Sequence, residues 1–215
     1  GLYSDISSVE IDTYLAETAA ALTVEHPDYS YLAARIKVNS LHKETPGFII
    51  ATKNLYDDGL LREEYFKKVM ENADEIESII DYDKDYTFDY FALTTLIRAY
   101  LLKFDNRTIE RPQDLWMRVT LTVTGNEFNL DKIKETYKSL SSGMYTHATP
   151  TLFNSGLKMQ QLSSCFLIGM EDDSIEGIFN TIKDCALISK TAGGIGMHAH
   201  NIRGSGSRIK STNGK

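Results

Sequence analysis

The sequence has 215 residues, of which 42% are hydrophobic and 25% are charged, as is usual for a globular protein long enough to bury a core. Its formal net charge of −7 argues against broad nucleic-acid binding, and no apolar run approaches the roughly 18 residues that a membrane helix needs. The N-terminus lacks the pattern of a secretory signal, and two cysteines are too few for a disulfide framework, so we expect a cytoplasmic protein.

Residues 1–47 are predicted to form two helices. Ser7 and Ser8 are candidate N-caps for the first helix, Asp28 opens the second, and Pro46-Gly47 marks a break after it. The expected apolar stripes are Ile11, Leu15, Ala19 and Leu22 on the first helix and Tyr29, Leu32, Ala33 and Ile36 on the second.

Residues 48–160 are also predicted to be helical. Periodic segments predict two short helices within 60–80, a helix over 88–102, one that opens at Glu110-Arg111-Pro112 and one over 131–140. Asp105, Asn106 and Arg107 predict a turn between two of these segments.

The pattern changes near residue 160, where we place a boundary. Gln161 to Gly169 and Ile195 to Ile202 are typical of strands, and an amphipathic helix between them carries Ile175, Ile178, Phe179, Ile182, Cys185 and Ala186 on one stripe. The chain is therefore predicted to be mainly α, with a βαβ unit at its end. Because one such unit cannot complete a sheet, we expect the natural protein to continue beyond Lys215.

The two ends of the chain differ in charge. No Asp or Glu follows Asp184, whereas Lys190, Arg203, Arg208, Lys210 and Lys215 all do. A locally basic segment with several glycines suits a small polyanion such as a nucleoside triphosphate, because backbone amides and Arg can hold phosphate. A disordered basic end is the alternative interpretation.

The two cysteines are expected to differ in role. Cys165 lies in a strand among serines, so its thiol could be a redox or nucleophilic group or a small buried hydrophobic residue. Cys185 lies on the predicted apolar stripe and is expected to be core. Their positions along the strand and the helix differ by too much for the roughly 7 Å that a disulfide allows.

Other polar residues leave two interpretations open. Asp173 has the spacing of an acidic N-cap with Glu176, but could also accept hydrogen bonds from sugar hydroxyls. His198 and His200 share a strand face and could begin a metal site, although no third ligand lies nearby in the sequence, so we assign no metal. His147 could contact a substrate or simply pack.

Several stretches resemble the eukaryotic-type large subunit of class I ribonucleotide reductase. They are LAETAA (15–20), HPDY (26–29), LAARI (32–36), HKET (42–45), THATPTLFN (146–154), QLSSCFL (161–167), DSIEG (173–177) and AGGIG (192–196). The resemblance implies a truncated ATP-cone over 1–47, a helical domain over 48–160 and the start of a ten-stranded α/β barrel over 161–215.

The same resemblance implies roles for individual residues. Cys165 matches one half of the dithiol that reduces ribose, and Thr149, Ser164 and Gly193 match substrate contacts. The residues that match an effector site for deoxynucleoside triphosphates or ATP, at a dimer interface, are Asp173, Ser174, Ile175, Lys190, Arg203, Lys210 and Ser211. Ser8 and Lys43 match effector contacts in the ATP-cone, although an N-cap and a solvated lysine explain them equally well.

The resemblance also implies partners and missing parts. The family acts on ribonucleoside diphosphates, works with a small subunit whose metal centre supplies a radical, and binds no cofactor through the residues matched here. The radical-bearing cysteine and the partner of Cys165 have no counterpart in this sequence, so the chain alone is expected to be inactive. The rival hypothesis, which composition favours, is a non-catalytic helical interaction module with an anion-binding tail.

Overall fold

The computed structural model describes residues 5–191 and 193–209. Within them the α-helices are α1 (Ser8–Ala21), α2 (Asp28–Glu44), α3 (Phe48–Asp57), α4 (Glu63–Glu71), α5 (Ala73–Ile79), α6 (Tyr90–Thr95), α7 (Pro112–Val123), α8 (Leu130–Ser141), α9 (Thr149–Asn154) and α10 (Ile175–Ser189). Leu22–Val24 and Tyr82–Thr87 form 3-10 helices, and Leu96–Tyr100 forms a π-helical turn that extends α6. The strands are β1 (Lys103–Phe104), β2 (Arg107–Thr108), β3 (Cys165–Gly169) and β4 (Gly194–His198). The predicted class, mainly α with a βαβ unit at the end, is confirmed.

The chain divides into two compact units. The first contains the residues up to His147 together with Leu152–Gln160, and the second contains Ala148–Thr151 together with the residues from Gln161 onward. Contacts alone do not identify domains, so the predicted domain boundaries at 47 and 160 stay predictions. No helix of the described residues is long and apolar enough to cross a membrane.

The start of α1 follows its sequence signals closely. The Ser7 hydroxyl accepts a hydrogen bond from the Glu10 backbone N–H (3.2 Å), and the Glu10 carboxylate accepts one from the Ser7 N–H (2.9 Å). This reciprocal pair satisfies two donors that a helix start leaves open, so the predicted N-terminus is confirmed with Ser7, rather than Ser8, as the cap.

The faces of α1 and α2 were predicted less well. Leu15, Leu22 and Leu32 of the expected stripes are 47%, 40% and 48% exposed. Ala19 and Ala33 of these stripes are buried as expected, together with Ala16, Ala34, Val38 and Leu41, which the stripes did not include. Alanines let two helix backbones approach closely, so α1 and α2 pack through their smallest side chains, with larger ones left outside.

The core of the first unit surrounds α7, in which every residue from Pro112 to Leu121 is buried. Pro112 at the first helical position needs no hydrogen-bond partner for its nitrogen, which is why a helix begins there. Leu115, Met117 and Leu121 belong to one apolar cluster that also takes side chains from α3, α4, α5 and α8. This helix therefore places its polar residues in the interior as well.

Arg118 is a deeply buried charge of α7, with 1% of its surface exposed. Its guanidinium binds both carboxylate oxygens of Glu110, from Nε at 2.5 Å and from Nη2 at 3.1 Å. Its Nη1 donates to the carbonyls of Leu152 (3.2 Å) and Ser155 (2.8 Å). The Glu110 carboxylate also accepts the Leu102 N–H at 2.8 Å, so one ion pair binds three backbone groups on two separate segments.

Asp114 is a buried acid of the same helix. Its carboxylate accepts hydrogen bonds from the Arg111 N–H (2.8 Å) and the Tyr82 hydroxyl (2.7 Å). Burial nevertheless raises the pKa of Asp114 to about 7, because removal from water penalises the charged form more than these two donors stabilise it.

The predicted turn at 105–107 proves to be a hairpin. Asp105 and Asn106 both have positive φ, 48° and 61°, and antiparallel β1 and β2 pair across them. Two left-handed residues in succession are the geometry of a type I′ turn, which Asp and Asn tolerate well. The two-residue strands themselves were too short for a sequence pattern to predict.

The second unit contains the βαβ unit. β3 and β4 are parallel, with Cys165 paired to Gly194 and Gly169 paired to His198, and α10 connects them. Both strands are shorter than predicted, because residues 161–164 and 199–202 lie outside the ladder. The register decides which groups lie beside the thiol.

Candidate functional site

Cys165 begins β3 with its thiol exposed and free. Its strand neighbour is Gly194, and a methyl group added there would lie 3.8 Å from the Cys165 Sγ atom. Phe166, the next residue, is half-buried, so the strand alternates as predicted. The thiol is therefore accessible and faces a position that has no side chain.

Gly193 lies in the most confined position near the thiol. A methyl group on it would come within 2.6 Å of Ile188 Cγ2 and 2.9 Å of Phe166 Cε2, closer than real atoms approach. Its N–H donates to the Ile188 carbonyl (3.3 Å), and the Gly194 N–H donates to the Ser164 carbonyl (2.7 Å). Since both amides are used internally, Gly193 could meet a ligand only through its Cα or its carbonyl oxygen.

The segment that carries Thr149 is tied to the approach to β3. Thr151, on the same helix as Thr149, donates from its hydroxyl to the Leu162 carbonyl at 3.0 Å. Ser164, which lies between Leu162 and Cys165 in the sequence, is half-buried. The predicted substrate residues Ser164 and Gly193 thus flank the Cys165 strand, and Thr149 lies two residues before a direct link to it.

The other cysteine lies apart from this site. Cys185 is a free thiol on α10 and is only partly buried, so it is neither disulfide-bonded nor full core. The prediction that the two cysteines do not pair is confirmed. His147, a possible substrate contact by sequence, belongs to the first unit, and its Nε2 atom is buried without a hydrogen-bond partner in the structure.

The start of α10 brings together two residues that the sequence assigned to an effector site. Arg203 donates from Nε to the Asp173 carboxylate (2.7 Å) and from Nη2 to the Asp173 carbonyl (2.8 Å). The predicted N-cap role of Asp173 is wrong: Ser174 caps the helix, and its hydroxyl accepts the Gly177 N–H at 3.0 Å. The helix starts one residue late because Asp173 is engaged by Arg203 and by its neighbour Asp172.

The predicted single stripe of α10 is also wrong, since its residues divide between two faces. Gly177 and Thr181 are buried, and Ile178, Cys185 and Ile188 are partly buried beside them. Ile175, Phe179 and Ile182 are 79%, 65% and 49% exposed. Gly177 lies against Asp172, and the Thr181 hydroxyl accepts the Glu171 N–H at 3.0 Å. An apolar row stays uncovered, which we call the outer face of α10 (Ile175, Phe179, Ile182 and Ala186).

The remaining effector candidates are dispersed. Lys190 ends α10 as its C-cap, about 25 Å along the helix from Asp173 at 1.5 Å per residue. Lys210 and Ser211 lie outside the described residues. In the first unit, Ser8 is exposed at the start of α1, and Lys43 makes a 3.0 Å ion pair with Asp12, a residue that the sequence did not single out.

Two family models match the chain. The one described as the all-alpha domain of ribonucleotide reductase matches residues 86–160, and the one described as its barrel domain matches residues 163–215. Together these ranges cover more than half of the sequence, and they meet where the chain changes from helical to βαβ structure.

Curated relatives match along the whole chain. The ribonucleoside-diphosphate reductase large chain of Schizosaccharomyces pombe is 46% identical over 100% of this chain and 27% of its own length. Large chain 2 of Saccharomyces cerevisiae is 47% identical over 100% of this chain and 26% of its own, and the Arabidopsis thaliana large subunit is 46% identical over 100% and 27%. This chain therefore spans about a quarter of these relatives, and it belongs to the ribonucleotide reductase large-subunit family.

Proposed function

We propose that this chain, within its full-length subunit, takes part in reducing ribonucleoside diphosphates to 2′-deoxyribonucleoside diphosphates for DNA synthesis. The observation that carries the proposal is the free, exposed thiol of Cys165 on the first strand of the barrel-domain match. A reductant that meets a nucleotide directly must be reachable and yet held on rigid backbone, and a strand opposite glycine provides both.

In this proposal Cys165 supplies one of two thiols. Both thiols are oxidised to a single disulfide, and the two electrons and two protons released allow the ribose to lose its 2′-hydroxyl as water and gain hydrogen. The second thiol and the thiyl radical that starts the reaction would come from parts of the subunit outside this chain, and a small subunit would supply the radical from its metal centre. Cys185 does not fit the partner role, because its place along α10 and the place of Cys165 on β3 differ by more than the roughly 7 Å that a disulfide allows.

The substrate would be held by residues around the thiol. Ser164 and Thr149 would offer hydroxyls to the diphosphate or the ribose, and Gly193 would let the substrate approach the backbone. Ile188 and Phe166 fill the space beside Gly193, so the substrate would approach Gly193 from its other side, at the Cα or the carbonyl oxygen.

The start of α10 would form part of an effector site for a deoxynucleoside triphosphate or ATP. Asp173, Ser174 and Ile175 would meet the nucleoside, and Arg203, Lys210 and Ser211 would meet its phosphates. Lys190 lies too far along α10 to reach the same small molecule, which supports a site shared by two copies of the chain. The uncovered outer face of α10 supports a homodimer formed through this helix.

A second effector site would involve the first two helices. Ser8 begins α1, and Lys43 near the end of α2 is held by Asp12 in a position open to solvent. Displacement of Asp12 by a nucleotide phosphate would leave the lysine in place for an effector contact.

The proposal is tested by Cys165→Ser in the full-length subunit, with Cys185→Ser as the matched control. Dithiol-dependent turnover should be lost in the first variant and kept in the second, while both should bind dTTP as the unchanged protein does. Normal turnover by Cys165→Ser would show that this thiol is not the reductant.

A further inference from the structure

His198 and His200 form a pair that the proposed reduction does not use. Their Nδ1 atoms are 2.7 Å apart, their ring centroids are 4.6 Å apart, and both side chains are exposed. Two imidazole lone pairs repel at this distance, so the approach requires something shared between them, either a proton or a cation.

Hydrogen bonds join His198 and Asn201, at the two ends of the pair, to the backbone of Met170. The His198 carbonyl accepts the Met170 N–H at 3.0 Å, and the Asn201 side chain donates to the Met170 carbonyl at 2.7 Å. Gly169, the strand neighbour of His198, leaves room for the ring, since a methyl group there would lie 2.8 Å from His198 Nε2. The backbone that carries the two imidazoles is therefore held in place by hydrogen bonds to Met170.

We propose that His198 and His200 are a two-histidine site for a divalent transition-metal ion that prefers ligands at right angles, Cu²⁺ or Ni²⁺. A metal 2.0–2.1 Å from each Nδ1 atom would subtend an N–metal–N angle of about 80–85° at the observed separation. A tetrahedral ion needs nitrogens about 3.3 Å apart, whereas square-planar or octahedral ligation needs about 2.9 Å.

The remaining ligands would be water, or groups outside this chain. Among the described residues, no group of three or more His, Cys, Asp or Glu is placed to hold one ion. Cys165 is not the missing ligand, because it lies four residues from Gly169 along β3, roughly 13 Å at 3.3 Å per residue, and metal–sulfur bonds are about 2.3 Å. The site is thus separate from the proposed redox thiol and does not depend on its role.

The test uses the full-length subunit and Ni²⁺ as the probe, measured by isothermal titration calorimetry. His198→Gln or His200→Gln should weaken one Ni²⁺ site by more than about tenfold, because each removes half of the chelate. His26→Gln is the matched control, since His26 is also exposed but belongs to the first unit, and it should leave that site unchanged. Equal Ni²⁺ binding by all four proteins would overturn the proposal.

A second variant tests whether Ni²⁺ binding depends on the position of the His198 ring. Gly169→Ala keeps both imidazoles but forces the His198 ring aside, so Ni²⁺ should bind more weakly while the thermal unfolding midpoint stays near its original value. In crystals of the unchanged subunit soaked with Ni²⁺, the anomalous signal should lie about 2.1 Å from both Nδ1 atoms. Absence of that peak, with the rings still 2.7 Å apart, would show a hydrogen bond only.

Discussion

Replacement of Arg118 by Met tests the energetic role of the buried ion pair in α7. The change removes four hydrogen bonds of Arg118, two to Glu110 and two to the carbonyls of Leu152 and Ser155. It also leaves the Glu110 carboxylate buried without its counter-charge, because both side chains are at most 3% exposed. Loss of one partner of such a pair costs about 3–5 kcal/mol of unfolding free energy.

A double variant separates the pair from its surroundings. Arg118→Met with Glu110→Met removes both charges, so no buried charge is left alone and the double change should cost less than the sum of the two single changes. Arg62→Met is the matched control, because its ion pair with Glu64 is exposed and should contribute at most about 1 kcal/mol.

The assay is urea unfolding followed by the fluorescence of Trp116, the only tryptophan of the sequence. Trp116 is buried in α7 two residues before Arg118, so its signal reports the first unit. A loss of about 3–5 kcal/mol corresponds to a melting temperature lower by about 6–20 °C in a chain of this size. If Arg118→Met behaves like Arg62→Met, the buried pair does not hold the unit together and the reasoning fails.

Three further changes test other parts of the structure. The pKa of Asp114 is raised to about 7, so the folded state keeps a proton that the unfolded chain loses near pH 4. The unfolding free energy should therefore fall as the pH rises from about 4 to about 7. Asp114→Asn should reduce that fall when urea unfolding is measured at several pH values, and an unchanged pH dependence would contradict the argument. Gly193→Ala should lower the unfolding free energy by about 1–3 kcal/mol through overcrowding, while Gly204→Ala, with open space around it, should not; equal effects would refute the steric argument. In the full-length subunit, dTTP should raise the melting temperature more than inorganic triphosphate does, and Arg203→Met should reduce both shifts; equal shifts from the two ligands would favour generic anion binding.

Helix starts were predictable because their signals are local. Ser7 with Glu10 and the proline at 112 each satisfy or remove backbone donors within one turn, and no distant residue is needed to interpret them. The start of α10 was misplaced by one residue for the opposite reason. Asp173 is bound by Arg203, thirty residues later, and no local pattern carries that information.

Helix faces were predicted poorly where small residues pack. The predicted stripes favoured large apolar side chains: they included Leu15 and Leu32, which are nearly half exposed, and left out Ala16 and Ala34, which are buried. On α10 the same preference merged two faces into one stripe. An alanine or glycine face is selected by how closely a neighbour approaches, which is a tertiary property.

The ion pair between Lys43 and Asp12 was within reach of sequence reasoning. Two helices joined by a short connection run antiparallel, so the first turns of α1 must lie beside the last turns of α2. Asp12 and Lys43 occupy those two ends and carry opposite charges. The antiparallel arrangement of the two helices therefore predicts that oppositely charged residues at the start of α1 and the end of α2 can form an ion pair.

Cys165 shows how much of a site can be predicted from residue types alone. Strand alternation predicts that the Cys165 thiol and the Phe166 ring point to opposite faces of β3. It does not predict which residue of β4 lies beside the thiol. That depends on the register, which pairs Cys165 with Gly194 and leaves the sulfur uncovered. A slip of one residue would place Ile195 beside the thiol and reverse the faces of β4. The accessibility on which the proposed reduction depends is thus a property of strand register, which the residue types of β3 alone do not determine.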